Sequence, residues 1–257
     1  MVASRAHAED TLEVNIPRTA LIASGGVTAW VLSEILKPQL APAACRWCAT
    51  NGLDDGVRDA LVWDDRESAA TASDVLAYAA APALAFGIEA AVAREAGHLE
   101  HVPEDALVIA EATALAMDLN QLVKLSVGRE RPFVRALPDD AKDDTETPSD
   151  NNLSFYSGHT AFTMALAVSA GTVATMRGYE YAPAIFAVGI PLSLGAGYLR
   201  IAADKHYATD VTVGAVVGAA VGAAVPLLLH KKHGADGVGM SGGVFGGGGV
   251  VALNGRF

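Results

Sequence analysis

The chain has 257 residues, enough for one large domain, and 51% of them are hydrophobic, with a mean hydropathy of +0.30 that is high for a soluble protein. Eighteen basic residues against 29 acidic ones give a net charge of −11, which argues against nucleic acid as a partner. That balance says little about membrane insertion, because the acids cluster between apolar runs.

Taken in order, the chain divides into an N-terminal segment (1–18), one helical domain (19–233) and a glycine-rich tail (234–257). In the first segment Ala6-His7-Ala8 ahead of Glu9 has the form of an A-x-A cleavage site with no apolar segment before it. Apolar runs then predict six helices: Thr19–Leu36, Ser73–Ala96, Ala106–Val127, Thr160–Met176, Ala182–Ile201 and Tyr207–Leu229. Each falls near the roughly 17 to 25 residues that span a bilayer. The first three carry Glu34, Glu89, Glu111 and Asp118. A charge at the midplane costs about 2.5–3.5 kcal/mol on insertion scales, so these acids must face the bundle or lie near an end. The second half therefore reads as membrane more firmly than the first, and a soluble all-helical periplasmic protein is the alternative.

Between the first two helices stand Cys45 and Cys48. If that loop is extracytoplasmic, the pair sits where a disulfide can persist. A redox-active Cys-x-x-Cys, for which a thioredoxin-like context is missing, and two free thiols are the other readings. After the sixth helix, His230-Lys231-Lys232-His233 is a small basic cluster of the kind that stays cytoplasmic, which puts both termini inside. The tail beyond reads as flexible low-complexity sequence, with a terminal strand ending in Phe257 as the lesser reading. No repeat and no second domain is evident.

Chemistry concentrates in three stretches within residues 107–229. Lys124 and Arg131 are seven apart, close to two helical turns, so they share a face if the helix continues that far. Pro132 disfavours helix at Arg131 and places it beside a loop. Ser157-Gly158-His159 precedes an uncharged run, where a helix start would turn free N–H groups and the positive dipole end towards an anion. Gly158 permits close approach of the backbone. His206 and Asp210, at i and i+4, share a helical face, so the carboxylate can fix the imidazole tautomer and leave the other nitrogen free to attack phosphorus. Arg200 supplies a further cation for charge on phosphoryl oxygens. Singly, each stretch reads as solvated cations, an ordinary serine cap or a surface ion pair; together they describe an oxyanion cradle with a nucleophile.

No metal or other cofactor is called for. There is no H-E-x-x-H and no paired cysteine cluster, and the acidic stretch Asp139, Asp140, Asp143, Asp144, Glu146 and Asp150 lacks the glycine and terminal glutamate of a calcium loop. It reads as a solvated loop, with steering of ligands as a lesser possibility.

The pattern Lys124-x6-Arg131-Pro132, then Ser157-Gly158-His159, then Arg200-x5-His206-x3-Asp210 resembles the superfamily of type 2 phosphatidic acid phosphatases, bacterial acid phosphatases and vanadium haloperoxidases. Tyr156 stands where the second signature has proline, and Leu199 where the third has serine; both departures spare the groups that would touch phosphate. The resemblance implies an all-α, six-helix bundle that crosses the membrane with its active site on the extracytoplasmic face. It assigns His206 as nucleophile, Asp210 as its orienter and His159 as the acid. Lys124, Arg131, Ser157, Gly158 and Arg200 would hold the phosphate oxygens. The implied activity is metal-independent hydrolysis of a phosphomonoester or diphosphate, lipid-linked or a small molecule, through a phosphohistidine. A soluble periplasmic acid phosphatase, a vanadium haloperoxidase with His206 as vanadate ligand, and a non-catalytic membrane protein of the same fold are the alternatives.

Overall fold

A computed structural model describes residues 10–232, together with the backbone of Gly239–Phe245 and Gly248–Asn254. Ala6-His7-Ala8, His233 and Phe257 lie outside the described residues. Helix α1 spans Ile16–Ile35, capped by Asn15 Oδ1, which accepts from Arg18 N at 3.2 Å, with Pro17 in the first turn where its missing N–H costs nothing. Short helices α2 (Lys37–Leu40) and α3 (Gly52–Leu61) follow, the latter capped by Asn51. Helix α4 (Arg66–Val75) passes through one π-helical turn at Leu76–Ala80 into α5 (Ala81–Ala96). Then come α6 (Val102–Val127), α7 (Pro132–Arg135), α8 (Gly158–Met176), α9 (Ala182–Ala202) and α10 (Ala208–Leu229).

All six predicted helices are present, and the domain is all-α. The second starts at Arg66 rather than Ser73, because Asp65 caps it by accepting from Ser68 N at 3.0 Å, and its first two turns are too polar to register as an apolar run. Helix α3 was not predicted at all. The tail reading is corrected: Gly239–Phe245 (β1) and Gly248–Asn254 (β2) pair antiparallel, from Gly239 opposite Asn254 to Phe245 opposite Gly248. Val244 and Phe245 in β1 and Val250, Val251 and Leu253 in β2 are the β-forming residues that the glycine content masks.

Helix α8 is the central element, buried on nearly every face against α5, α6, α9 and α10. Its buried threonines satisfy themselves locally, Thr163 donating to His159 O at 2.9 Å and Thr172 to Val168 O at 2.7 Å. The closest crossing is with α10. Gly214 and Gly222 lie so near the α8 backbone that an added Cβ would fall 2.7 Å from Ser157 O and 2.8 Å from Ala165 O, and Gly218 is tighter still against Ala161. This small-residue stripe at i, i+4, i+8 is a device of membrane helix packing. It sets the starts of α8 and α10, with their histidines, side by side.

Arg66–Ala96, Leu99–Val127, Ala182–Ala202 and Ala208–Leu229 are long and apolar enough to cross a membrane. Their outward faces and that of α1 expose large apolar side chains, among them Leu21, Leu32, Leu194, Val216 and Leu228. Glu89, Glu111 and Asp118, the acids deep in the apolar runs, face protein, as a bilayer requires. Glu89 is fully buried, Glu111 pairs with His230 Nε2 at 2.6 Å, and Asp118 lies against Gly26 of α1. His230, Lys231 and Lys232 sit at the end of the bundle opposite the three motifs, where Lys232 N donates to Thr11 O at 2.9 Å.

Candidate active site

The three motif segments converge because they occupy the same end of four neighbouring helices. Helix α6 delivers Lys124 in its last turn and stops at Gly128, whose left-handed φ of 61° no other residue type adopts as readily. The helix therefore does not continue to Arg131, which stands in the loop as Pro132 leads one to expect and caps α7 with extended backbone (φ −72°, ψ 150°). The loop nonetheless carries it into the same cavity. That cavity, of about 280 Å³, is lined by Lys124, Arg131, Gly158, His159, Arg200 and His206, by Asn120 and Gln121 of α6, and from other elements by Trp30, Glu34, Lys37, Tyr78 and Asp150.

His206 is almost completely buried, and its Nδ1 lies 2.7 Å from Ser154 O. A carbonyl only accepts, so Nδ1 carries the proton and Nε2 keeps its lone pair. Burial holds the imidazole well below its ordinary pKa, reinforced by the charges of Arg131, Arg200, Lys124 and His159. Asp210, expected to bond the ring directly, stands 3.7 Å from Nδ1. Its Oδ2 instead accepts from Ser154 Oγ at 2.5 Å and from Tyr207 N at 2.9 Å, which closes the first turn of α10. The carboxylate thus acts on the ring through Ser154, fixing the segment whose carbonyl holds Nδ1.

His159, in the first turn of α8, has Nε2 2.6 Å from Asp74 Oδ1 of α4. Tyr78 meets its ring edge-on at 4.9 Å. Arg200, in the last turn of α9, is tethered on the same side: Nη1 donates to Ser73 Oγ at 3.1 Å and lies 3.6 Å from Asp74 Oδ1. Ser73, Asp74 and Tyr78 were not singled out from the sequence; a lone carboxylate opening an apolar run was the available signal. Gly158 is wedged so that a Cβ would meet Asn120 Oδ1 at 3.0 Å and Lys124 Nζ at 3.3 Å, so glycine here lets the ammonium reach the helix start. Ser157 departs from its expected role. It is fully buried behind the cavity wall, its Oγ accepts from Thr160 Oγ1 at 3.0 Å, and its N–H donates to Asp210 O at 3.1 Å.

Asp150 also departs from the sequence reading, which placed it in a solvated loop. Arg131 Nε donates to its carbonyl at 2.8 Å, and Lys37 Nζ lies 3.1 Å from its carboxylate. Burial alone would raise its pKa, but Arg131, then Lys37 and Lys124, outweigh that and hold it well below the usual carboxylate range. The other acids of that loop are exposed, Asp139, Asp140, Asp143 and Asp144 in the turn Asp139–Asp144 and Glu146 just after it. Cys45 and Cys48 are joined by a disulfide. Between them the chain packs on the Lys124–Arg131 loop, Trp47 N donating to Gly128 O at 3.3 Å and Glu130 N to Trp47 O at 3.1 Å.

An all-helical bundle whose one end gathers six cations or imidazoles in a single cavity is built to receive an anion. The chain belongs to the PAP2 superfamily, which residues 105–233 match. That family consists mostly of phosphatases, and the chain is assigned a general phosphatase role on that footing. No match was found among curated proteins or among solved structures. Trp30, Glu34, Lys37, Ser73, Asp74 and Tyr78 lie outside the matched span.

Proposed function

We propose that the protein is a membrane phosphatase that hydrolyses a lipid-linked phosphomonoester or diphosphate through a phosphohistidine on His206. The observation that carries this reading is the convergence of Lys124, Arg131, Arg200, His159 and His206 on one cavity. His206 Nε2 attacks phosphorus, forming an N–P bond as the bond to the leaving oxygen breaks. That oxygen takes a proton from His159. Water then attacks the phosphohistidine, the N–P bond breaks, and the water's proton returns to His159 as phosphate leaves. Lys124, Arg131, Arg200 and the N–H groups at the start of α8 balance charge on the phosphoryl oxygens, so the positive charge that a metal would bring is supplied by side chains. With Nε2 of His159 engaged by Asp74, Nδ1 is the nitrogen available to the leaving group.

The test is phosphate release by purified protein in chelator, with His159→Ala compared on two leaving groups. An alkyl phosphate needs its departing oxygen protonated and should lose about 10²-fold in kcat; p-nitrophenyl phosphate, whose leaving group is already a good one, should lose only a few-fold. Equal losses on both would remove the acid role, and activity restored only by magnesium would point to a different active site.

The extracytoplasmic side is part of the same proposal. It is supported by the disulfide at the motif end of the bundle and the basic cluster at the other. In intact cells an impermeant maleimide should label Asp144→Cys and leave Lys232→Cys unlabelled. The reverse pattern would place the active site inside, and recovery of active protein without detergent would overturn the membrane reading.

A further inference from the structure

At the end of the bundle opposite the three motifs, the turn between α5 and α6 brings His98, Glu100 and His101 together. Helix α5 ends on Gly97, whose φ of 84° lets Gly97 N donate to Arg94 O at 3.0 Å and His98 N to Ala93 O at 2.8 Å. The chain then winds through a 3₁₀ turn, Leu99–His101, with His101 N donating to His98 O at 3.1 Å. A 3₁₀ turn repeats about every three residues, so positions i and i+3 eclipse. The two imidazoles accordingly stack, with 5.0 Å between centroids and 5° between planes. His98 Nδ1 stands 3.1 Å from Glu100 Oε1, and one donor atom from each of the three side chains lies within 4.8 Å of the other two. Around a tetrahedral ion with bonds of about 2.0–2.2 Å, ligand atoms are about 3.3 Å apart, so one edge is already near that length and side-chain rotation closes the others.

A second observation lies behind His101. Its Nδ1 is 3.3 Å from the hydroxyl of Tyr179, a buried residue in the turn between α8 and α9. That hydroxyl donates to Asp105 Oδ2 at 3.4 Å, and Asp105 is held in turn by Arg177 Nε at 2.8 Å. The phenol's one proton points to the carboxylate, so its oxygen accepts from His101 Nδ1–H and Nε2 keeps the lone pair. A ring N–H tied to a fixed partner is how proteins orient a metal-binding histidine.

We propose that His98, Glu100 and His101 form a site for one divalent transition-metal ion of the zinc type, which clips the α5–α6 turn to Tyr179. Two imidazoles and a carboxylate suit zinc or cobalt, whereas magnesium and calcium take oxygen ligands. The side chains of His98 and Glu100 are 50% and 66% exposed, so water completes the coordination. The site is separate from the anion cradle. Arg177, which holds Asp105, also reaches Asp10 Oδ2 at 3.3 Å, and Asp10 O accepts from Lys232 Nζ at 2.8 Å, at the far end of the bundle.

The experiment titrates tag-free, full-length protein in detergent with Zn²⁺ and, for a visible signal, with Co²⁺, beside His98→Ala and Tyr179→Phe. The half-exposed His98 can be truncated without disturbing the core, which unfolding midpoints in chelator check. Histidines elsewhere are common to all three proteins, so differences between them report this site. The wild type should show one equivalent of Zn²⁺ that His98→Ala binds at least about a hundredfold more weakly, beyond what losing an orienting partner costs. Co²⁺ should give the visible bands of a four-coordinate ion, absent in that variant, and Zn²⁺ should raise the unfolding midpoint of the wild type more than that of His98→Ala. Tyr179→Phe keeps the ligands but removes the relay, and should bind about tenfold more weakly. Identical Zn²⁺ titrations of wild type and His98→Ala would overturn the site and leave His98 and Glu100 as a surface ion pair. Unchanged affinity in Tyr179→Phe would overturn the role of Tyr179, and Mg²⁺ binding as tightly as Zn²⁺ would overturn the class of ion.

Discussion

Replacing His206 with alanine is expected to end phosphoenzyme formation and to lower kcat by on the order of 10⁴–10⁶-fold, the scale seen when a covalent nucleophile is removed. The expectation follows from how the ring is held. Nδ1 is fixed by Ser154 O, so Nε2 is the nitrogen with a lone pair, and the ring is among the lining of the cavity where the cations converge. Burial, then Arg131, Arg200, Lys124 and His159, favour its neutral form and carry its pKa well below 6.5. A depressed pKa means that the nucleophilic form persists as pH falls. In the wild type the acid limb of kcat/KM assigned to this group should therefore lie below pH 6.5. Bound phosphate dianion offsets the cations that depress the ring, so the matching limb of kcat should lie at higher pH than that of kcat/KM. Rapid-quench labelling checks the first part and pH profiles the second. Acid-labile, base-stable phosphate on the His206→Ala protein would remove the assignment.

Arg129→Met should produce the largest loss of stability of any single change near the site. Arg129, one of the six residues between Lys124 and Arg131, has the largest fully buried side chain among the described residues. Its guanidinium donates to Asp54 Oδ2 of α3 at 2.7 Å, to Thr209 Oγ1 at 2.8 Å and to Asp210 Oδ1. Its faces are covered by Trp47 and Tyr207, each ring 4.2 Å from the guanidinium carbon. The substitution strands two buried carboxylates without a cation, a loss of about 3–5 kcal/mol. Activity should fall as well, because Asp210 aligns Ser154 and Ser154 aligns His206. Adding Asp54→Asn should recover part of the stability, since one uncompensated charge fewer remains buried. Unfolding midpoints in detergent with p-nitrophenyl phosphate turnover read both effects; a wild-type midpoint and kcat in Arg129→Met would show that the network carries neither.

These two predictions draw on different levels of information. His206, His159, Lys124, Arg131 and Arg200 were legible because their chemistry and spacing are properties of the chain. The six helices were legible because apolar runs of bilayer length have few other uses. By itself the sequence therefore determined the class of fold, the cations and the two imidazoles. Contacts between segments distant in sequence were not legible. Asp74 reaches His159 across 85 positions, Asp54 reaches Arg129 across 75, and Ser154 O reaches His206 across 52. Spacing inside one element says which side chains share a face, but nothing about which face of another element will meet them. The Asp210 expectation failed for that reason: i, i+4 proximity brings the carboxylate to 3.7 Å, and a carbonyl from the preceding loop takes the nearer place. What decided that competition was the packing of α10 on α8 through Gly214, Gly218 and Gly222, which fixes where the Ser154 loop lies relative to the start of α10. Tertiary structure likewise drew Asp150 out of its acidic loop and into the cavity, because Arg131 and Lys37 attract a carboxylate more strongly than burial repels it.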